Sequence, residues 1–315
     1  MAVCRRYLSS HMPILQFLIS TPPPTPPLPH SPTPPFPHSP IPPLHHSTTP
    51  PFPHRFISQI AISCKMSLFK SYSWAVENAG NTDVVTIDAR PEATYLYGHI
   101  PNSYTLSLER VIEIGLYGDH LAPPKQHAAD VFGGLGIDDT KMVVVAGDAM
   151  DPAAARIAWT LKYFGHDQTF LMEDSGNLWR NGPELTKKHS TGRPARFTPV
   201  INYDIRADAK DILNNKKVTL IDARSPQEFM GGHLPGALSI PFTMGLGGRL
   251  FQDGSRLSAM FRAQGVEPTD DIVCYCTHGH RASSLYFQLH AAGFESVSLY
   301  DGSFVDWTGR GLPLE

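Results

Sequence analysis

Thiols, early acidic residues and long apolar runs are all scarce in this chain. Its 315 residues include four cysteines. Two of them, Cys4 and Cys64, fall in an unusual leading segment, so Cys274 and Cys276 are the only thiols of the part that reads as folded. That usage excludes a secretory disulfide framework. Residues 1–65 contain no Asp or Glu but hold Arg5, Arg6, Arg55 and Lys65; setting these four charges aside turns a net charge of −3 into −7 for the remainder. An acidic body argues against a nucleic-acid partner. The best early apolar run, residues 14–19, is interrupted and ends in prolines, well short of the roughly eighteen residues needed to cross a bilayer. The expectation is a soluble, cytoplasmic protein with no membrane partner.

Proline is plentiful instead, with 30 in all. Residues 21–54 repeat a heptad-like unit, seen in Pro29-His30-Ser31-Pro32-Thr33-Pro34-Pro35 and again in Pro37-His38-Ser39-Pro40-Ile41-Pro42-Pro43. Such a chain favours polyproline II and cannot build a core. Three readings of residues 1–65 are open: a Pro-rich tether, an acid-free organelle transit peptide, or translated upstream sequence preceding a true start at Met66. The last is adopted, and organelle targeting follows only if the extension is real.

The remaining 250 or so residues repeat themselves. Residues 84–90, Val-Val-Thr-Ile-Asp-Ala-Arg, match residues 218–224, Val-Thr-Leu-Ile-Asp-Ala-Arg, and Gly98-His99-Ile100-Pro101 matches Gly232-His233-Leu234-Pro235, both at a separation of 134. Gly165 and Gly293, and Trp179 and Trp307, are 128 apart, so the first copy carries a net six extra residues between these landmarks. The chain is a duplicated domain. Short β-branched runs at 84–87, 142–145 and 169–171, and at 218–221, 272–275 and 297–299, alternate with helix-like stretches. Continuous apolar strands interleaved with helices predict α/β domains, each a buried parallel sheet flanked by helices on both faces. The expected boundaries are a first domain over 66–182, a linker over 183–200 rich in Gly, Pro and Lys, and a second domain over 201–315.

In the second copy an apolar strand runs into Cys276-Thr277-His278-Gly279-His280-Arg281 and then into a stretch with apolar residues at helical spacing. Ligands bind open α/β sheets at the carboxyl ends of strands, and a helix start offers unpaired N–H groups and a positive dipole end. A thiolate at Cys276 is stabilised there, with help from Arg281, and the thiolate is the attacking form. Gly279 suits a loop that curls around the sulfur, because a residue without Cβ takes positive φ cheaply. Cys276 is therefore the candidate nucleophile, and Thr277, His278, Gly279, His280 and Arg281 are candidate substrate-binding residues.

Taken together, Asp222-Ala223-Arg224 with Glu228-Phe229, Gly232 to Ala237, the Cys-x-x-Gly-x-Arg loop, and Asp301-Gly302-Ser303 before Trp307 resemble the signature set of rhodanese domains. The resemblance covers residues from about 80 to 315. It implies two tandem rhodanese-like domains and a ping-pong reaction in which Cys276 takes the outer sulfur of a donor such as thiosulfate, releases sulfite, and passes the persulfide sulfur to cyanide or a thiol. No cofactor and no metal are implied. Partners would be a small-molecule donor and a thiophilic acceptor, or a protein in either role; a monomer is expected. The related phosphatases carry one more residue between cysteine and arginine, so the spacing here favours sulfur transfer over arsenate or phosphate chemistry. Mercaptopyruvate-type relatives resemble Cys-Gly-x-Gly-Val-Thr, whereas this loop offers Arg281 and two potentially cationic histidines, which favours thiosulfate. Vertebrate thiosulfate enzymes have a substrate-contacting arginine where Glu228 stands here. A 3-mercaptopyruvate sulfurtransferase and a non-turnover persulfide carrier are the alternatives.

The first copy reads Ala146-Gly147-Asp148-Ala149-Met150-Asp151-Pro152-Ala153 at the corresponding loop. It has no sulfur nucleophile, has alanine for the arginine and adds two acids, so a structural role is expected of it. Asp222 and Arg224, assigned a supporting role, recur as Asp88 and Arg90, which points to a structural pair. His99 and His233 both sit beside prolines and are expected to stabilise turns, and Cys274 to serve as a small core residue.

Overall fold

The β-branched run Val84–Asp88 forms a strand because it can be covered on both faces, and the same reasoning places every central strand of the molecule. The computed structural model describes residues 68–176, 182, 184–215 and 217–315. The Pro-rich segment, Cys4, Cys64, Met66 and Trp179 lie outside the described residues. All described residues fall within one compact unit, Ile62–Glu315.

In the first repeat the order is β1 (Phe69–Lys70), α1 (Tyr72–Glu77), β2 (Val84–Asp88), α2 (Glu92–Tyr97), β3 (Tyr104–Thr105), the hairpin β4 (Glu113–Ile114) and β5 (His120–Leu121), α3 (Lys125–Gly134), β6 (Met142–Ala146), α4 (Ala153–Tyr163) and β7 (Thr169–Met172). The second repeat runs β8 (Arg206–Ala207), α5 (Ala209–Asn214), β9 (Thr219–Asp222), α6 (Pro226–Met230), β10 (Leu238–Ser239), α7 (Gly254–Ala263), β11 (Ile272–Tyr275), α8 (His280–Ala291), β12 (Val297–Tyr300) and α9 (Ser303–Gly309).

The strand order is β1-β7-β6-β2-β3 in one sheet and β8-β12-β11-β9-β10 in the other, with every neighbour parallel. Position for position the two orders coincide, as a duplication requires. Parallel neighbours need crossover connections, which the helices supply while covering the sheets. The short edge strands and the β4–β5 hairpin carry too few residues for a periodicity to show in sequence.

The two repeats share a core. Helix α4 packs against α8, its counterpart in the second repeat, and one buried apolar cluster contains Trp159, Leu161 and Phe164 together with Leu285, Phe287 and Leu289. The segment expected to act as a linker is bonded down onto the first repeat. His99 and Thr186 exchange backbone hydrogen bonds of 3.0 and 2.8 Å, and Ala195 N–H donates to the Gly133 carbonyl at 2.9 Å. Phe197 is buried against Phe132, ring centroids 5.6 Å apart. Irregular backbone held by such contacts shows no apolar period, which is why the stretch reads as a linker.

Candidate active site

Strand β11 ends at Tyr275, and the loop 276–279 delivers the chain into α8 at His280. Gly279, at the N-cap of α8, has φ +82°, and a Cβ there would lie 2.7 Å from Arg156 Nη1 and 2.9 Å from the Asp301 carbonyl. Both conformation and space demand glycine. The first backbone hydrogen bond of α8 runs from Ser283 N–H to the Gly279 carbonyl at 3.0 Å; the amides before it are the unspent donors that every helix start carries.

Cys276 is only 1% exposed. The Asp301-Gly302-Ser303 motif grips its backbone: Cys276 N–H donates to Ser303 Oγ at 3.3 Å, while Phe304 N–H and Val305 N–H donate to the carbonyls of Cys276 and Thr277 at 3.0 and 3.2 Å. Ser303 itself adopts φ +55°, a left-handed conformation costly for a residue with a Cβ. It is retained with its hydroxyl donating to the Tyr300 carbonyl at 2.8 Å.

Arg281 is not the free cation that the sequence suggests. Its Nη1 and Nη2 each donate to Glu228 at 2.7 Å, one to each carboxylate oxygen, and Nη2 also donates to Thr277 Oγ1 at 2.6 Å. Glu228 is fixed in turn by a capping box at the start of α6, accepting from Ser225 N–H at 3.0 Å and Ser225 Oγ at 2.8 Å. The hydrogen bond from Arg281 holds the Glu228 carboxyl well below the usual carboxylate range. The same bond raises the Arg281 pKa, with the nearby Cys276 adding to the shift.

The loop histidines, offered by the sequence as potentially cationic, are both shifted toward the neutral form. Burial, followed by the charge of Arg156, takes His280 from 6.5 down to about 3. Burial lowers His278 too. Their companion is His120, supplied by β5 of the first repeat. Its Nδ1 is 3.1 Å from His280 Nε2, and its ring stacks on His278 at 4.3 Å. His120 is likewise lowered, by burial and then by His278 and Arg156. Among the described residues no group of three or more His, Cys, Asp or Glu is placed to hold a metal ion.

Sequence reasoning missed His120 and Arg156, which belong to the silent copy and lie far from the loop in sequence. Arg156 on α4 is fully buried, and its Nη2 pairs with Asp301 at 2.6 Å. Asp301 also accepts from Arg206 Nε at 3.1 Å and from Ala122 N–H at 2.9 Å. A charged residue inside an apolar helix, as in Ala-Ala-Ala-Arg-Ile-Ala-Trp, was the one available signal, since such a charge requires a partner.

Asp222 and Arg224 pair at 2.7 Å, and Asp88 and Arg90 pair at 2.6 Å. Each arginine also donates to a glycine carbonyl, Gly232 at 2.8 Å or Gly98 at 2.9 Å. The pair therefore ties the strand end to the turn after the next helix in both copies. The Arg224 guanidinium lies 3.9 Å from the ring centroid of Phe304, whose N–H holds the Cys276 carbonyl. His99 and His233 bond to the carbonyls of Tyr95 and Phe229 and stack on those same rings. Cys274 is enclosed, its thiol directed to the carbonyls of Ala282 and Ser298, and burial drives its pKa up.

The fold is a duplicated parallel α/β body, with the enclosed Cys276 thiol at the strand-to-helix junction of the second copy. The comparisons decide the family. The rhodanese-like domain matches residues 71–181 and again residues 206–310. The chain belongs to the rhodanese family. It is 29% identical over 273 residues to the sulfur carrier protein TtuD of Thermus thermophilus, covering 78% of this chain and 95% of that protein. It is 28% identical over 247 residues to the thiosulfate sulfurtransferase of Bos taurus, covering 72% and 82%. The crystal structure of SseA from Escherichia coli, a 3-mercaptopyruvate sulfotransferase, matches with a TM-score of 0.69 at 24% identity, covering 76% of this chain and 99% of that one. This last likeness speaks for the fold.

Proposed function

We propose that this chain transfers sulfane sulfur through a persulfide on Cys276, with thiosulfate as the simplest donor. The observation that carries the reading is the Cys276 thiol enclosed at the start of α8, in a loop whose glycine is left-handed. The Cys276 thiolate attacks the outer sulfur of thiosulfate, the S–S bond breaks, and sulfite departs with the bonding pair. Cyanide or a thiolate then takes the terminal sulfur, and Cys276 leaves as thiolate. Helix-start amides stabilise the anionic sulfur in both halves of the cycle. Thr277, His278, Gly279, His280 and Arg281 form the loop against which the donor rests, and Asp222 with Arg224 braces the frame behind it.

Two relatives bear on the donor and the mode of action. Similarity to a thiosulfate sulfurtransferase supports turnover, and similarity to a sulfur carrier supports delivery of a persulfide to a protein acceptor. Thiocyanate production from thiosulfate and cyanide, with mercaptopyruvate as parallel donor, separates these. Turnover lost in Cys276→Ser is expected; a Cys276→Ser protein that still transfers sulfur would sink the proposal. A stable Cys276 persulfide without turnover on either donor would favour the carrier.

A further inference from the structure

We infer that Glu228 sets donor choice, closing Arg281 to dianions and turning the site toward the terminal sulfur of a thiol persulfide. The inference rests on the reading of Cys276 as the sulfur acceptor and replaces thiosulfate, the simplest donor named there, with a thiol persulfide as the preferred one.

The argument begins with what Arg281 has left to offer. A guanidinium recognises an oxyanion through its planar fork of N–H groups. Both terminal nitrogens of Arg281 are already donating to the two oxygens of Glu228, and one of them also reaches Thr277 Oγ1. Thr277 Oγ1 in turn lies 3.3 Å from Glu228 Oε1. The carboxylate cannot swing aside at no cost, because Ser225 holds it through N–H and Oγ and it completes the cap of α6.

A sulfonate-type oxyanion approaching Cys276 therefore meets a cation that is already matched, with a fixed negative charge beside it. The other groups do not make up the deficit: burial shifts the loop histidines toward their neutral form, and Arg156 is fully enclosed behind Gly279, where its Nη2 pairs with Asp301 and its Nε and Nη1 have no hydrogen-bond partner. Thiosulfate carries two negative charges and is repelled by the carboxylate. A thiol persulfide carries at most one at its reacting end and needs no fork.

The chemistry of loading from a persulfide balances with nothing added. Cys276 thiolate attacks the outer sulfur of R–S–SH, the donor S–S bond breaks, R–S⁻ leaves with the pair, and the proton stays on the new terminal sulfur of Cys276–S–SH. The matching donor class is a low-molecular-weight thiol persulfide or a persulfidated cysteine on a protein.

The test measures single-turnover loading of Cys276 by intact-mass spectrometry, with thiosulfate and glutathione persulfide as the two probes. The unmodified chain should load at least tenfold faster from glutathione persulfide, and the reverse ranking overturns the inference without any variant. In Glu228→Gln, which keeps the size of the side chain and an oxygen for Ser225, the ratio of thiosulfate to persulfide loading should rise at least tenfold. A ratio unchanged in a folded Glu228→Gln protein also overturns it. Failure of the underlying reading looks different: neither probe loads the unmodified chain, or loading persists in Cys276→Ser.

Discussion

Arg156 and Asp301 are joined by a 2.6 Å ion pair with both side chains fully enclosed, although they stand 145 positions apart in the chain. One belongs to the silent repeat and the other to the repeat that carries Cys276. Arg156 also backs Gly279, so the pair ties the seam between repeats to the wall of the thiol loop.

Breaking that pair from one side leaves a buried charge under-compensated. Arg156→Met should lower unfolding free energy by about 3–5 kcal/mol, the range for removing one partner of a buried pair. Urea denaturation followed by circular dichroism reads this directly. A loss below about 1 kcal/mol would mean that Arg206 alone satisfies Asp301.

Gly279→Ala places a methyl where Arg156 Nη1 and the Asp301 carbonyl already sit and keeps a left-handed φ. Strain of about 1–3 kcal/mol is expected, and relaxing it moves the loop. Sulfur transfer should fall by roughly tenfold to a hundredfold, as for a misplaced reacting group. Steady-state rates measured on folded protein decide it.

Acid should weaken the fold through the histidines. Unfolded, each takes a proton near 6.5; folded, His280 waits until about 3, and His120 and His278 are shifted the same way. Between those limits the unfolded state binds more protons, so stability rises with pH and is lost as pH falls below about 6.5. The urea midpoint should drop from pH 7.5 to pH 5, and the drop should shrink in His280→Gln.

The pattern of six β-branched runs made the doubled sheet legible, because buried parallel strands must be apolar on both faces and each copy repeats its own landmarks. The Cys276 loop was legible for the same local reason: strand, short loop, glycine and helix follow one another in sequence. The state of its charges was not. Glu228 reaches Arg281 across 53 positions, and His120 reaches His280 across 160. Such pairings depend on how elements pack, and nothing in a loop's composition says whether its cation is already matched or its histidines are buried enough to stay neutral. The anchoring of residues 184–200 was not legible because it is made of backbone hydrogen bonds, such as those of Thr186 and Ala195, and scattered contacts without period, such as Phe197 on Phe132 and Thr198 N–H on Asp139.

The core that runs unbroken from Trp159 to Leu285 gives the silent copy the role that a second subunit plays in a homodimer, with one difference. Its partner is covalently attached, so no dilution can strip it away, and the effective concentration of the wall that supplies His120 and Arg156 is set by the chain itself. Activity per molecule should therefore hold constant down to the lowest concentrations at which it can be assayed.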